Sequence, residues 1–466
     1  MEAEDFIENV KCNGCKNTII KEARKQNPSK NIQESDLQQD KDVLDTWFSS
    51  WLWPISVFDG INHPDNKDIL YYYPTNDLVT APEILFFWVA RMIMAGYEYR
   101  NDKPFKNVYF TGIVRDKQRR KMSKSLGNSP DPIELMKQYG SDGVRIGMLL
   151  CSPAGNDLLF DETLVEQGRN FSNKIWNAFR LIKSWKQDDA KPQPDYTKQA
   201  IEWFSQRIKQ ATGEIKESID NYKLSEALMA NYTLFWDDFA SWYLEIIKPP
   251  YGESIDKETF LKTVGFFNIL LKLLHPFIPF ITEELFHRLN TDIKENDSIS
   301  FQMFPQDINF DKKIIADFTD IKEIISQVRN IRQKNQISQG EELKITILNH
   351  KFPRKYITIL KKTAKLSEIS FSDTSPDNTV GFIVGTTQYF VHLNRTIDIS
   401  AEREYLEKEL AYHKGFLNSV TKKLSNEKFM QHAPKAIIEK EEKKKTDAIS
   451  KIQAIEKQLK ELMKQK

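Results

Sequence analysis

Cysteine is scarce in this sequence, and neither sign of charge dominates it. Cys12, Cys15 and Cys151 are the only cysteines among 466 residues, which is too few for a disulfide framework and fits a reducing compartment. The formal net charge is +1, so overall basicity does not indicate a nucleic-acid partner, although a local basic face can still bind a polyanion. We therefore expect a cytoplasmic protein.

A long apolar run is also missing. The longest apolar stretch, around Ile84–Met94, is interrupted by Arg91 and is shorter than the ~20 residues that a membrane-spanning helix needs. The sequence therefore predicts a soluble chain with no membrane partner.

The spacing Cys12-Asn13-Gly14-Cys15 supplies only two possible ligands for zinc. A closed structural zinc site needs four ligands, and the sequence offers neither a second CxxC nor a nearby pair of histidines. A site completed by residues outside the chain stays open, but the pattern favours two free thiols, and we predict no metal site. We expect Cys151 to be a buried apolar residue.

The length suggests about three domains, and the sequence pattern divides the chain into five segments. Residues 1–40 are polar and rich in lysine, and 41–162 mix strand and helix patterns. Residues 163–300 show long helical apolar spacing, 301–400 mix strands and helices again, and 401–466 are helical. The fold class that we predict is multidomain, with an α/β half, an all-α bundle, a small α+β module and a C-terminal hairpin.

The first mixed segment predicts a parallel βαβ unit. Ile69–Tyr73 and Val108–Thr111 have the apolar pattern of short buried strands, and Pro82–Ala95 has that of a helix with proline near its start. Strand, helix and strand in this order favour parallel pairing.

The next two segments predict a helical bundle and a small α+β module. We expect helices of the bundle at Phe171–Trp185, Ala200–Ile219, Leu224–Ile247 and Thr259–Leu274. We expect the bundle aromatics Trp236, Trp242 and Tyr243 to be core residues. For the module we expect a helix and three strands: Asp320–Asn335, Lys344–Leu348, Gly381–Val384 and Gln388–Leu393.

The last segment has the spacing of an antiparallel coiled-coil hairpin. Apolar positions alternate between steps of four and three along the first predicted helix: Leu406, Leu410, His413, Leu417, Val420 and Leu424. A break at Asn426–Pro434 precedes a second helix, whose expected apolar side holds Ile438, Ile449, Ile452, Leu459 and Met463. Lys445 and Glu456 make that seam imperfect.

One short motif carries chemistry: Lys121-Met122-Ser123-Lys124-Ser125. Two lysines three residues apart, with Gly127 and Asn128 to permit tight turns, can place two ammonium groups and backbone N–H donors around a polyphosphate. The alternative is an exposed basic loop without chemistry. The full pentapeptide, after a short strand and before a helix-start signal, favours the polyphosphate site.

The motif and its surroundings resemble the class I aminoacyl-tRNA synthetases, and among them the valyl-tRNA synthetase family. KMSKS is the second signature of that class. Further matching blocks follow in order along nearly the whole chain: Asp42–Pro54, Tyr72–Gly96, Lys106–Asp116, Tyr139–Leu149, Ser152–Glu162, Asn173–Arg180, His275–Phe286 and Lys423–Pro434. The C-terminal hairpin separates the valine family from its isoleucine and leucine relatives.

The resemblance implies ATP-dependent activation of valine and its transfer to tRNA(Val), with ATP and Mg²⁺ at the site. Lys121 and Lys124 would hold the ATP phosphates and stabilise the transition state, with Lys124 the first choice for the catalytic lysine. Ser123 and Ser125 would add hydroxyl or loop-shaping roles. Trp47 stands where the family has a wall of the amino-acid pocket, although a core role is equally open.

Glu83 follows Thr80-Ala81-Pro82 at the place where related enzymes contact the ATP ribose. An ordinary acidic residue in the first turn of a helix is the alternative. A second departure is Arg119, which stands where the family usually has glycine, and the sequence leaves open whether it stiffens the loop or touches RNA. For Asp42 and Asp45 we expect capping and loop hydrogen bonds, and for Trp51 and Trp53 core positions.

The first class I signature, a HIGH-type tetrapeptide, is absent from the sequence. The resemblance therefore implies a C-terminal fragment that lacks the HIGH motif and most of the editing domain. Its segments would be the end of the editing insertion at 1–40, the second half of the Rossmann-type catalytic domain at 41–162, an anticodon-binding domain at 163–300, a small module at 301–400 and a tRNA-binding arm at 401–466. Alone, we expect it to be inactive and monomeric.

Two alternatives stay open for such a chain. One is a catalytically inactive fragment that binds tRNA through its domains. The other is a helical interaction protein whose hairpin binds proteins. Lysines of the hairpin favour phosphate contacts as a set, although each alone is better explained as a solvated side chain: Lys422, Lys423, Lys428, Lys435, Lys440 and Lys443–Lys445.

Overall fold

The computed structural model describes residues 13–36, 42–151, 157–290, 294, 297–348, 352–393 and 399–462. These residues form two compact units. Unit 1 holds the described residues up to 113 together with 157, and unit 2 holds those from 114 to 151 and from 158 onward. No helix in the described ranges is long and apolar enough to cross a membrane.

Unit 1 contains five α-helices and two strands in its described part. The helices are α1 Asn13–Gln26, α2 Thr46–Ser50, α3 Trp53–Ser56, α4 Lys67–Tyr72 and α5 Ala90–Arg100, and the strands are β1 Thr75–Thr80 and β2 Phe105–Phe110. The strands pair in parallel, with Thr75 opposite Phe105 and Thr80 opposite Phe110. A parallel strand–helix–strand unit is therefore present as predicted, but its first strand lies at Thr75–Thr80 and not at the predicted position.

The strand predicted at Ile69–Tyr73 is wrong, because this segment belongs to helix α4. The side chain of Asn66 accepts hydrogen bonds from the backbone N–H groups of Asp68 and Ile69, at 2.9 and 3.0 Å. This cap satisfies the first free donors of a helix. The helix ends at Tyr72, the backbone is extended from Tyr73, and β1 begins at Thr75.

The helix predicted at Pro82–Ala95 is confirmed as a continuous helical segment of three kinds. Pro82–Ile84 is a 3₁₀ turn, Leu85–Val89 is a π-helical turn, and α5 follows. Val89, Met92 and Phe105 form a small core between this segment and β2, with Trp51 and Leu78 packed against it.

Unit 2 begins with β3, Val114–Arg115, which pairs in parallel with β4, Leu158–Leu159. Between them lie a 3₁₀ turn, Lys124–Leu126, and two helices, α6 Pro132–Tyr139 and α7 Ser141–Leu150. Helix α8, Glu162–Ser184, packs closely on α7. The backbones approach so closely that a Cβ at Gly168 would lie 2.3 Å from the carbonyl oxygen of Gly143.

The helical bundle of unit 2 comprises α8 and five further α-helices: α9 Asp195–Asp220, α10 Leu224–Thr233, α11 Leu244–Ile247, α12 Lys257–Leu274 and α13 Pro279–Leu289. A π-helical segment, Leu234–Tyr243, joins α10 to α11. Two short strands, β5 Gln187–Asp188 and β6 Ile255–Asp256, pair in parallel beside the bundle helices. Phe204, Phe239 and Phe267 are fully buried between them. The four helices predicted for the bundle are confirmed, with α10, the π-helical segment and α11 together forming the third, whereas α13 was not among them.

The next part of unit 2 is a four-stranded sheet with helices. Its elements are α14 Lys312–Lys334, β7 Leu343–Leu348, α15 Ile357–Ala364, β8 Leu366–Ser372, β9 Thr379–Val384 and β10 Thr387–His392. The strand order is β8-β7-β10-β9, with β7 and β8 parallel and the other pairs antiparallel. The predicted helix and three strands are confirmed, whereas α15 and β8 were not predicted.

The last described segment holds two long helices, α16 Ile399–Leu424 and α18 Lys435–Leu462, with a short helix α17, Glu427–His432, between them. Ion pairs join Lys414 to Glu456 and Lys423 to Glu441, so the two long helices run in opposite directions. Leu406, Val420 and Ile452 are buried, as predicted, but Ile449 is exposed, and Ala448 and Ile455 take inner positions that were not predicted. Met463 lies outside the described residues, and the predicted break contains α17, which Asn426 caps.

Candidate functional site

The KMSKS motif lies in a folded loop of unit 2, between β3 and α6. The backbone of Lys121 forms an antiparallel bridge with Arg115. Within that bridge the N–H of Asp116 donates to the carbonyl of Arg120 at 3.0 Å, and the N–H of Arg119 donates to the carbonyl of Asp116 at 2.8 Å. The loop therefore returns on itself in a tight turn just before the motif.

Arg119 has a φ of 64° in this turn. That left-handed conformation favours glycine and is uncommon for a residue with a side chain. The position at which the resemblance implies glycine is therefore one where the backbone geometry favours glycine. Of the two roles left open for Arg119, the structure assigns neither an RNA contact nor a stiffening one.

Asp116 is the centre of the loop's hydrogen-bond network. Its carboxylate is almost fully buried and accepts from the backbone N–H groups of Gln118 and Arg120, from the Arg120 guanidinium and from the side chain of Asn128, at 2.7–3.0 Å. The hydrogen bond from Asn128, followed by the backbone and side-chain donors of Arg120, lowers the pKa of Asp116 to about 2. The carboxylate is therefore ionised throughout the neutral range.

Asn128 connects this carboxylate to the motif itself. Its side-chain oxygen accepts from the backbone N–H of Ser123 at 2.9 Å, and its amide nitrogen donates to the carbonyl of Lys121 at 3.3 Å. The hydroxyls of Ser123 and Ser125 lie 2.6 Å apart. One asparagine thus holds both the start and the middle of the motif.

The two serine hydroxyls of the motif and its backbone at Lys121 and Ser123 form hydrogen bonds within the loop. The side chain of Lys121, in contrast, is exposed. Lys124 begins the 3₁₀ turn Lys124–Leu126, and its side chain lies outside the described part of the structure. The arrangement presents an exposed ammonium group on a loop whose backbone is fixed from within. Such a group can bind a phosphate with little reorganisation.

Sequence reasoning did not single out Asp116 or the bonding role of Asn128. Asn128 was interpreted only as a residue that permits a turn. The available signal was an aspartate that follows a short strand and precedes a polar loop, a position typical of local hydrogen bonds to backbone.

Trp47 and Glu83 lie in unit 1, so the structure places them in a different unit from the KMSKS loop. Trp47 is half-buried in α2 and stacks on Phe87, with the ring centroids 5.9 Å apart. Glu83 is exposed in the 3₁₀ turn that follows β1.

The neighbours of Trp47 test two further predictions. The Asp45 side chain accepts from the backbone N–H of Trp47 at 2.7 Å and caps α2, and Asp42 accepts from the N–H of Val43, so their structural roles are confirmed. Trp51 packs against the small core as predicted. The core prediction for Trp53 is wrong, because Trp53 is 51% exposed and Ile55, two residues later, takes the inward side of α3.

The cysteine predictions divide between the described residues and the remainder. Cys151 is buried, as predicted, and burial raises the pKa of its thiol. Cys12 lies outside the described residues, as does the side chain of Cys15. Across the ranges that the structure describes, no group of three or more His, Cys, Asp or Glu side chains gathers in a metal-binding arrangement.

The bundle aromatics behave as core residues. Tyr243 is fully buried, and Trp236 and Trp242 are half-buried against the same core. The prediction that these three residues belong to the core is confirmed.

Comparison with known proteins gives three family matches in chain order. Residues 2–161 match the tRNA synthetases class I (I, L, M and V), 202–347 match the anticodon-binding domain of tRNA ligase, and 398–463 match the valyl tRNA synthetase tRNA binding arm.

Curated relatives are similar over nearly the whole chain. The valine--tRNA ligase of Phocaeicola vulgatus is 53% identical over 445 residues, covering 96% of this chain and 51% of that protein. The valine--tRNA ligase of Parabacteroides distasonis is 54% identical over 434 residues, covering 93% and 50%. The chain spans about half the length of the curated relatives it matches.

Among solved structures, the methionyl-tRNA synthetase of Mycobacterium tuberculosis in complex with methionyl-adenylate aligns with a TM-score of 0.42 at 19% identity, over 52% of this chain and 49% of that one. The sequence resemblance is confirmed by the relatives and the family matches. The chain belongs to the class I tRNA synthetases, and its relatives at more than half sequence identity are valine--tRNA ligases.

Proposed function

We propose that this chain supplies the KMSKS part of a valine--tRNA ligase, which activates valine with ATP and transfers it to tRNA(Val). The observation that carries the proposal is the fixed loop, in which the buried carboxylate of Asp116 and the side chain of Asn128 hold the backbone of Lys121 and Ser123. The relatives' activity and substrates motivate the choice of valine.

Lys121 and Lys124 are the proposed phosphate ligands and catalytic residues. In the reaction, the carboxylate of valine attacks the α-phosphorus of ATP, and pyrophosphate leaves with its electron pair. Negative charge grows on the phosphate oxygens, and a lysine ammonium stabilises it without giving up a proton. Ser123 and Ser125 shape the loop through their mutual hydrogen bond. We propose that Mg²⁺ enters the site bound to the ATP phosphates.

The network around Asp116 supports this chemistry by fixing the loop before ATP arrives. A loop that must order itself on binding loses the corresponding conformational entropy at that moment. Here five hydrogen-bond donors converge on one ionised carboxylate. The ordering has therefore already occurred in the free chain.

Two residues of unit 1 are proposed to contact the substrates. The half-buried ring of Trp47, held against Phe87, is a rigid apolar surface suited to the valine side chain. Glu83, exposed at the end of β1, can accept hydrogen bonds from the ribose hydroxyls of ATP.

The helical bundle and the pair α16 and α18 are proposed to bind tRNA(Val), the pair as a coiled-coil arm. Lys422, Lys435, Lys440 and Lys443 are exposed on the pair, and contacts between lysines and phosphates read shape more than sequence. Binding should therefore weaken steeply as the salt concentration rises. We also propose that the chain is monomeric and cytoplasmic, as the sequence indicated.

Titration of the chain with ATP and with AMP tests the loop assignment. We expect tighter binding of ATP, because only its outer phosphates reach the KMSKS lysines. Lys121→Met should weaken the binding of ATP by roughly 10- to 150-fold, the effect of losing one hydrogen bond to a charged group. The preference for ATP over AMP should fall by the same factor. Lys117→Met is the matched control, because Lys117 lies in the same loop but pairs with Asp161 at 3.1 Å. Equal binding of ATP and AMP by the unaltered chain would overturn the assignment.

Binding of tRNA(Val) at several salt concentrations tests the second part. Removal of residues 399–466 should weaken the binding and flatten its salt dependence. If that removal leaves the affinity for tRNA intact, the helix pair serves protein partners instead.

A further inference from the structure

A basic cavity lies in unit 2, where three helices end at Ile247, Lys334 and Ala364. Its volume is about 830 Å³, within the ~300–1,000 Å³ typical of sites for small organic ligands. The cavity therefore has room for a small ligand. Five cationic side chains line it, against one carboxylate: Lys248, Arg329, Arg332, Lys362 and Lys365, with Glu245.

The amine of Lys362 is fixed in the wall of this cavity. Lys362 lies in the last turn of α15 and is half-buried. Its Nζ donates to the carbonyl of Ile246 at 2.7 Å and to that of Lys248 at 3.4 Å, and it lies 3.8 Å from the ring centre of Tyr196. A neutral amine has two N–H donors, so it can keep both carbonyl contacts and still have its lone pair.

The surroundings of Lys362 also favour the neutral amine. Burial first, and then the charges of Lys248, Lys191 and Lys365, lower the pKa of Lys362 to about 8, while Glu253 opposes the shift. At pH 7 the unprotonated fraction is therefore roughly 300-fold larger than at the ordinary value of 10.5. Desolvation and neighbouring cations are two of the means by which proteins activate a lysine as a nucleophile.

Arg332 neutralises the backbone carbonyls around the cavity. Helix C-termini expose carbonyl oxygens and carry partial negative charge, which by itself would repel an anion. The guanidinium of Arg332 donates to four carbonyls at 2.7–3.1 Å, those of Ser338, Glu341, Ala364 and Lys365. With these oxygens engaged, the remaining cations decide which charge the cavity presents.

The remaining cations lie where a ligand can enter from solvent. Lys248, Arg329 and Lys365 are exposed on the lining. Lys248 pairs with Glu245 at 2.5 Å, which balances its charge. Arg329 lies over the ring of Trp242, 5.5 Å from its centre, a contact with the ring face that satisfies none of its N–H donors. Arg329 and Lys365 can therefore bind an anionic group beside the amine of Lys362.

We propose that Lys362 is a modification site, at which its amine takes the acyl group from a small acyl phosphate bound in this cavity. Arg329 and Lys365 bind the phosphate part, which brings the carbonyl carbon of the ligand to the amine. An acyl phosphate uses these cations twice, in binding and at its leaving group, whereas a phosphorylated aldehyde would use them only in binding. The inference does not rest on amino-acid activation or on tRNA binding.

The reaction balances without a further reactant. The lone pair of the Lys362 amine attacks the carbonyl carbon, a C–N bond forms, and the bond from that carbon to the phosphate oxygen breaks. The phosphate leaves with the electron pair, and the nitrogen releases one proton to water. Negative charge grows on the leaving phosphate, where the cations stabilise it. The acylated nitrogen keeps one N–H, so it can still donate to the carbonyl of Ile246.

Treatment of the full chain with acetyl phosphate at pH 8, followed by peptide mass spectrometry, tests the proposal. Lys361 is the internal reference, because it is the neighbouring residue on α15, is exposed and does not line the cavity. Acetylation of Lys362 should be faster than that of Lys361 by roughly tenfold or more. Inorganic phosphate should slow the reaction at Lys362 and leave that at Lys361 unchanged. Equal rates at the two lysines, or no effect of inorganic phosphate, would overturn the proposal.

Arg329→Gln separates binding of the phosphate group from the reactivity of the amine. The pKa of Lys362 follows from burial and from other neighbouring charges, so the loss of Arg329 should leave the amine equally reactive. We expect Arg329→Gln to slow acetylation of Lys362 by acetyl phosphate roughly tenfold, the lower end of the effect of losing one hydrogen bond to a charged group. Acetylation of Lys362 by acetic anhydride, a neutral reagent, should be unchanged.

Lys262→Gln is the matched control, since it removes an exposed positive charge of α12 that does not line the cavity. It should change neither reaction. If Arg329→Gln slows both reactions equally, or slows neither, the cavity does not direct an acyl phosphate to Lys362 and the proposal fails.

Discussion

Phe86 and Phe204 are both phenylalanines in helical segments, yet Phe86 in unit 1 is 77% exposed and Phe204 in unit 2 is fully buried. The same contrast holds for strands. In unit 1, Val79 on β1 is 59% exposed, whereas Ile345 on β7 of unit 2 is fully buried. Identical or similar side chains thus contribute very differently to stability in the two units.

The difference arises because the two units differ in how many layers of helices and strands pack against one another within the unit. The sheet that the structure describes in unit 1 has two strands, so each strand has one paired edge, and the hydrophobic cluster there has three buried residues with their neighbours. Unit 2 packs a four-stranded sheet and its helices into one continuous core with the bundle. An element gains stability from its apolar face only where a second layer covers that face. We therefore expect unit 2 to hold its fold by its own core and unit 1 to be less stable.

The largest expected effect sharpens this contrast directly. Phe204→Ala should destabilise the bundle by about 3–5 kcal/mol, because it removes a buried ring and leaves a cavity. Phe86→Ala should change the stability of unit 1 by less than about 0.5 kcal/mol, because the ring is already in water. Hydrogen exchange measured by mass spectrometry on peptides from each unit would report both values. Similar losses of protection in the two variants would break the comparison.

A second pair of variants asks whether unit 1 also tolerates overpacking better. A Cβ at Gly168 in α8 would lie 2.3 Å from the Gly143 carbonyl, a backbone atom held by two packed helices. A Cβ at Gly96 in α5 would lie 2.7 Å from the Tyr73 hydroxyl and 2.8 Å from the Asp102 carbonyl. We expect Gly168→Ala to cost at least about 1–3 kcal/mol, and Gly96→Ala to fall at the low end of that range.

The measurement is again segment-resolved hydrogen exchange, combined with thermal unfolding. Gly96→Ala should cost less than Gly168→Ala because the hydroxyl of Tyr73 is the far end of a side chain and can move, and because the surrounding core is small. A greater loss for Gly96→Ala than for Gly168→Ala would show that unit 1 is as tightly packed as unit 2.

The same contrast explains which parts of the fold the sequence could predict. The bundle helices follow from apolar spacing, because each apolar stripe meets a partner inside the chain. Ile69–Tyr73 has an equally apolar pattern but forms a helix, since the side chain of Asn66 caps it. Strand β8, Leu366–Ser372, was not predicted, because its serines and glutamate interrupt the apolar pattern of a strand. It forms a strand through its pairing with β7.

For the candidate site, the sequence predicted the motif but not what holds it. Lys121, Ser123 and Lys124 are recognisable from local spacing. The bond from Asn128 to Asp116 spans twelve positions, and the left-handed backbone of Arg119 depends on the turn around it. Likewise, Trp53 is exposed although its aromatic surroundings favoured a core position. Such features depend on how the folded chain brings residues together, so composition and periodicity do not encode them.

The smallest expected effect is local and concerns one carboxylate from each unit. Asp116 in unit 2 has its pKa lowered to about 2, first by Asn128 and then by Arg120, whereas in Asp59 of unit 1 the hydrogen bonds from His63 and then Asn62 lower the pKa less far. A depressed folded-state pKa contributes stability above the ordinary value of 3.8 that is lost as the pH falls through the folded value. At pH 3.5, which is above the folded-state value of about 2, the Asp116 network should therefore persist. Pepsin cleavage within residues 116–130 and within 59–66, compared at pH 5 and 3.5, would measure this.

Asp116→Asn, which lacks the ionised acceptor, should already be cleaved within 116–130 at pH 5. If the loop of the unaltered chain opens with a midpoint near pH 3.8, the carboxylate of Asp116 holds its loop no more firmly than Asp59 holds its own turn.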